Sequence, residues 1–121
     1  MGVTRLMNTY VVTADVNDLI EDSTVGNRFP LREAGAGRYV IIPLASVKGC
    51  TFTVSDGAAV VVQNEPIPCG DIQSNGDPIL RLNEALRWEV VVETGTHLQM
   101  SVDVASANSP RVLVVVEKVA N

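Results

Sequence analysis

The sequence predicts an all-β chain folded as one antiparallel β-sandwich or barrel, with the jelly roll as the preferred form. Three observations carry that expectation. Residues 98–104 (LQMSVDV) alternate without a fault: Leu98, Met100, Val102 and Val104 are apolar, while Gln99, Ser101 and Asp103 are polar. A period of two puts the two sets on opposite faces of a strand. Hydrophobic residues make up 46% of the chain and aromatics only 4%, so the core is aliphatic and dominated by valine, which suits a pleated surface. About eight short apolar runs also follow one another with turn signals between them, as in a sandwich or barrel.

The elements follow in order. Residues 7–16 (MNTYVVTADV) hold Thr9, Tyr10, Val11, Val12 and Thr13, which favour a first strand. Residues 17–22 (NDLIED) are long enough for one helical turn and no more. Residues 22–37 (DSTVGNRFPLREAGAG) mix glycine, proline and both charge signs with no period, which predicts a long irregular arm. Residues 38–44 (RYVIIPL) read as a strand that Pro43 restricts to an edge or an end. Residues 50–54 and 58–63 read as a hairpin closed by Ser55-Asp56-Gly57.

Residues 64–78 (NEPIPCGDIQSNGDP) are punctuated by Pro66, Pro68, Gly70, Gly76 and Pro78 and predict a loop. Residues 79–82 make a short strand and 83–86 a turn. Residues 88–93 (WEVVVE) and 98–104 are expected to pair as a hairpin around Thr94-Gly95-Thr96, where Gly95 can take positive φ. Residues 106–110 (SANSP) turn the chain into 111–119 (RVLVVVEKV). That run is apolar on both faces and predicts a central strand covered on both sides.

At 121 residues and 12.9 kDa the chain is expected to form a single domain spanning residues 1–121 that needs no metal or disulfide to hold its core. The net charge of −5 and the isoelectric point near 4.7 argue against nucleic acid, which demands clustered lysine and arginine. The nine basic residues are scattered from Arg5 to Lys118. Residues 1–13 lack the basic and continuous apolar regions of a signal peptide. The apolar runs, such as 112–116, are too short to span a bilayer, so no membrane partner is expected. The chain is expected to be made and kept in a cytosol, or assembled into something there. Cys50 and Cys69 make no disulfide framework and read as buried reduced thiols.

Chemistry finds little to stand on. His97 is the single histidine, and it falls on the polar face at the mouth of the expected hairpin, where an exposed imidazole is the ordinary reading. No Gly-x-Ser-x-Gly elbow supplies a nucleophile. A metal site of His97, Cys50 and Cys69 needs three distant segments to converge, and none has the paired spacing of a zinc motif. Asp15, Asn17, Asp18, Glu21 and Asp22 bunch together, but Ile20 stands where a calcium loop needs glycine. Asp71, Ser74, Asn75 and Asp77 read as turn-closing side chains. Gly35-Ala36-Gly37 leads into a strand instead of a helix N-terminus, so it reads as a hinge and not as a phosphate cradle. The expectation is a non-enzymatic protein with no catalytic residue, no cofactor and no metal.

Two features remain: valine-rich strands ending in residues 111–119, and the arm at residues 22–37. In size and texture the chain resembles the small cement or decoration proteins of tailed-phage heads, several of which are jelly rolls or related sandwiches. That resemblance implies a homo-oligomer on the outer surface of a virion capsid, made in the host cytoplasm. Its partners would be the major capsid protein and copies of itself, and it would stabilise the shell by bridging capsid subunits. The arm offers Arg28, Phe29, Leu31 and Arg32 as candidate contacts, chosen because apolar side chains on a polar loop suit docking. The alternative is a small sandwich module that binds carbohydrate or another ligand, which predicts an exposed Trp88 or Phe29 in a concave site.

Overall fold

The computed structural model describes residues 6–17, 19, 36–74, 77–81, 85–93, 96, 98–105 and 110–119. Seven strands run through them: β1 (Leu6–Val12), β2 (Gly37–Ala45), β3 (Thr51–Ser55), β4 (Val60–Pro66), β5 (Trp88–Val92), β6 (Gln99–Asp103) and β7 (Val112–Val119). Two antiparallel sheets pack face to face, one ordered β1-β7-β2-β5 and the other β4-β3-β6. Val16 and Val102 exchange both backbone hydrogen bonds at 2.9 Å, which gives the second sheet one further position beyond β6.

The pairings nest. β1 lies against β7, the Val16 segment against β6, β2 against β5, and β3 against β4. The chain is therefore one long antiparallel hairpin folded at the β3–β4 turn. It is then rolled so that β7 also meets β2 and β6 also meets β3. This is the jelly roll expected from the sequence, and rolling buries a face of β1, β2, β3, β5, β6 and β7, while β4 stays largely exposed.

The fold turns at Asp56. Its Oδ1 accepts from the backbone N–H groups of Ala58 and Ala59 at 2.8 and 2.9 Å, and Ser55 Oγ accepts from Gly57 N–H at 3.0 Å. Gly57 takes φ +95°, which is open to glycine and strained for other residues. The predicted β3–β4 hairpin is thus present, though β4 runs on to Pro66 through a bulge. There Asn64 adopts φ +47°, its N–H donates to Thr53 Oγ1 at 3.0 Å, and the register with β3 shifts.

Three expectations are corrected. Residues 88–93 and 98–104 both supply strands, but β5 and β6 do not pair with each other and belong to different sheets. Alternation fixes which side chains face the core, not which strand is the neighbour. Placed across the sandwich, Val90 and Val92 face Leu98, Met100 and Val102 through one shared core. Residues 79–81 are not a strand. Ile79 N–H instead bonds Asp71 O at 2.7 Å, and the segment lies over the first sheet. Pro43 sits inside β2, a strand flanked on both sides. It is tolerated because pairing with β5 ends at Ile41↔Trp88, so at Pro43 only β7 is a ladder partner.

The core between the sheets is aliphatic around Tyr10, Tyr39, Phe52, Leu98 and Met100, all buried. Phe52 of β3 meets Trp88 of β5 across the sandwich, edge to face, with ring centroids 4.9 Å apart and planes at 76°. β7 is central, as predicted. Val112, Val114 and Val116 face the core, and Val115 on the opposite face is also buried.

Candidate functional site

The two outer faces of the sandwich differ in chemistry, and alternation along each strand decides it. On the second sheet the outward row is Thr51, Thr53 and Ser55 of β3 opposite Asp103, Ser101 and Gln99 of β6. On the first sheet the outward rows are Val11–Leu113–Leu44, Thr9–Val115–Ile42 and Glu117–Val40–Glu89, followed by Val119–Arg38–Val91. The β3–β6 part of the second face is polar, with exposed Val60 and Val61 on β4 beside it. The first face is aliphatic at its centre, Leu44, Ile42, Val115 and Val40, and charged toward β5 at Glu117, Glu89 and Arg38.

The apolar face is partly roofed by residues 67–74, 77–81 and 85–86. Past the end of β5 the open edge of β2 is taken by this segment: Ala45 N–H bonds Pro68 O at 2.8 Å and Gly70 N–H bonds Ala45 O at 3.0 Å. A Cβ on Gly70 would lie 2.9 Å from Leu44 Cδ2, so the Leu44 side chain would have to shift to admit one. Leu80 and Ala85 then pack on Val40, Ile42 and Val115. Arg111 holds the segment from the other side, its Nη1 2.8 Å from Asp77 Oδ1, and Asp71 faces Arg81 at 3.7 Å.

Between roof and sheet lies a cleft of ≈ 280 Å³ lined by Leu44, Cys69, Gly70, Asp71, Ile79, Leu80, Arg81 and Ala85. On this face Val11, Leu86 and Val91 are exposed, Val91 at the far end of the sheet opposite Arg38; Ile72 of the roof and Val60 and Val61 of β4 are exposed as well. Exposed aliphatics continuous with a half-roofed apolar sheet make a surface suited to a protein partner. The polar face carries a depression of ≈ 250 Å³ lined by Asn17, Thr53, Ser55, Gln99, Met100 and Ser101.

The residues singled out from the sequence divide as follows. Arg28, Phe29, Leu31 and Arg32 of the expected arm lie outside the described residues, as does His97. At the arm's C-terminal end, Gly37 already belongs to β2. Cys50 is buried, but Cys69 is exposed at the cleft, which corrects the expectation of two buried thiols. Cys69 forms a single parallel bridge with Ala45 on the edge of β2, and its side chain is exposed there. Trp88 is half-buried against Phe52 and is not a free aromatic platform.

Asp15, from the first acidic cluster, accepts the Val104 N–H at 2.7 Å and so staples the Val16 segment to the end of β6. Asp71 and Asp77, from the second, serve the ion pairs named above. Among the described residues no three His, Cys, Asp or Glu side chains gather as a metal-binding group, and no helix is long and apolar enough to cross a membrane.

The roof was missed in the sequence, where residues 64–78 read only as punctuation. The apolar pair Ile79-Leu80 directly after Pro78 was the available signal. Comparison of the chain with protein-family models, with curated proteins and with solved structures finds no match.

Proposed function

We propose that this chain is a non-enzymatic structural virion protein, a cement or decoration protein that binds the outer capsid shell and bridges its subunits. The observation that carries the reading is the contrast between the two outer faces of the jelly roll. A domain whose first face has an aliphatic centre and whose second face has a polar β3–β6 row has a side to lay on a surface and a side to leave in water. Exposed Val11, Leu86 and Val91 rim the aliphatic side. Burying such surface gains about 25 cal/mol per Å². Summed over many copies on a repeating shell, a weak contact of this kind raises the cost of rupture. Arg28, Phe29, Leu31 and Arg32 are proposed as further contacts, on their chemistry.

Gradient sedimentation of a lysate from the source, following this chain by mass spectrometry, tests the reading. Recovery with particles at fixed stoichiometry to a shell protein is expected. Recovery only as a free small species at the top of the gradient overturns it.

A second reading has one observation in its favour. The depression lined by Asn17, Thr53, Ser55, Gln99 and Ser101 offers hydroxyls and amides of the kind that bind a polyhydroxylated ligand. No aromatic ring lines it to stack on a sugar face, which is why the structural reading is preferred. Chemical-shift changes confined to these residues on titration with oligosaccharides would reverse that order.

A further inference from the structure

We propose that two copies of this chain join edge to edge through β5, antiparallel about a two-fold axis and in a register centred on Val90. The inference deepens the self-association contained in the reading above and names the surface that performs it. β5 is the last strand of its sheet, with β2 as its ladder partner. The edge strand β4 is blunted by a bulge, by Asn64 at positive φ and by Pro66. Trp88–Val92 has no proline, and its pairing with β2 runs without a register shift. β1, at the other end of the same sheet, is equally regular and free of proline. β5 is favoured over it because β5 carries the exposed Val91 and places Glu89 beside Arg38, which together supply charge complementarity for a second copy.

The register follows from the pleat and from charge. Two strands related by a two-fold axis through a continuous sheet must keep outward residues opposite outward residues, so the axis passes at a residue and not between two. Centring on Glu89 sets the two Glu89 carboxylates opposite each other. Centring on Val91 sets Glu89 opposite Glu93. Centring on Val90, the middle of β5, lets all five residues of the strand pair and opposes no like charges; it sets Glu89 against Val91 of the second copy and Trp88 against Val92.

That register is complementary on both faces. Val91 lies opposite Arg38 on one side, so the outward row becomes Arg38, Val91, Glu89 of the second copy and its Val40. Arg38 and that Glu89 stand two strand spacings apart, about 9–10 Å between backbones, a gap their long side chains span over Val91. Both groups are available: Arg38 and Glu89 are 59% and 60% exposed and only loosely paired within one chain at 3.7 Å. The join also covers Val91 and the open side of the half-buried Trp88.

Sedimentation velocity of the purified full chain over a concentration series tests the proposal. Wild type is expected to dimerise reversibly. Arg38→Glu alone and Glu89→Arg alone are expected to be folded monomers, since each sets like charges across the join. Mixed together they are expected to form a heterodimer, because position 38 of each then meets its opposite at position 89 of the other. Within either single variant the same two positions carry like charges, so contacts inside one chain cannot produce that rescue. Should either variant lose its fold, Val91→Glu replaces it. That change sets a carboxylate beside Arg38 of its own chain and opposite Glu89 of the second, and a folded monomer is expected.

A monomeric wild type at every concentration overturns the proposal. So do single variants that dimerise like wild type, or a mixture that stays monomeric. Capture by particles without dimerisation in solution sinks this interface alone, whereas dimerisation without particle capture supports the interface and sinks the capsid reading.

Discussion

Arg111 Nη1 and Asp77 Oδ1 meet at 2.8 Å, joining the residue before β7 to the segment that roofs the apolar face of the sheet. Arg111 is fixed a second time through its backbone. Its N–H donates to Ser46 Oγ at 2.9 Å and its carbonyl accepts from Ser46 N–H at 2.8 Å. The guanidinium therefore projects from a fixed base onto Asp77, whose carbonyl also accepts from Gln73 N–H at 2.8 Å. Both side chains keep some solvent exposure, which screens the pair. Asp77→Ala is expected to lower global stability by only about 1 kcal/mol. Its larger effect is local: amide exchange of residues 69–80 should speed up while β2 and β7 stay protected. Exchange mass spectrometry reads both, and unchanged exchange in residues 69–80 refutes the bracing role.

The roof also depends on Gly70 passing close to Leu44. A methyl group on Gly70 would sit 2.9 to 3.2 Å from three carbons of the Leu44 side chain, so Leu44 must move. Leu44 borders the cleft and can turn toward it, so Gly70→Ala is expected to cost about 1 kcal/mol, the low end for overpacking. Leu44→Ala should relieve part of that cost, so the double variant loses less than the sum of the singles. Denaturant unfolding of the four proteins gives the coupling. Strict additivity would mean the two residues do not touch in solution.

Much of the fold was legible because alternation is a local signal. Residues 98–104 and 111–119 show their inward rows directly, and those rows are the buried ones. Ser55-Asp56-Gly57 likewise announces its turn through the chemistry of three side chains. The pairing of residues 88–93 with 98–104 failed for a physical reason. A short connection can close a hairpin within one sheet or arch between two, and both leave the same apolar pattern. Here Thr96 N–H and Oγ1 both bond Glu93 O, at 3.1 and 2.7 Å, in the connection that crosses between sheets. The site was less legible. Two-faced burial of Val40, Ile42 and Val115 depends on Leu80 and Ala85, which lie far along the chain in segments with no period.

The β3–β4 turn carries a pH dependence with a definite sign. The N–H groups of Ala59 and Ala58 donate to the Asp56 carboxylate and hold its pKa below the ordinary value of 3.8. A carboxyl with a lowered folded pKa stabilises the native state above the unfolded value and loses that contribution as pH falls through the folded one. Asp56→Asn keeps an acceptor oxygen but does not titrate. Wild type should therefore melt above the variant at neutral pH, and the gap should shrink below about pH 4. Thermal midpoints of both proteins across that window give the test. A gap independent of pH assigns the difference to geometry instead of charge.

The two thiols should separate by reactivity under native conditions. Cys50 is only 1% exposed, and its Sγ accepts from the Ala105 N–H at 3.4 Å, so no reagent reaches it without opening the sandwich. Cys69 is exposed at the mouth of the cleft, beside Gly70 and near Arg81. A maleimide is expected to label one thiol per native chain at Cys69 and both in denaturant, as peptide mapping will show. Labelling of Cys50 should then report opening of the core, and its rate should fall as native stability rises. Asp77→Ala loosens the roof and leaves the core intact, so it should speed labelling of Cys69 more than of Cys50. Equal acceleration at both sites would mean that roof and sandwich open as one unit, and the cleft would then be no more mobile than the β-sheet beneath it.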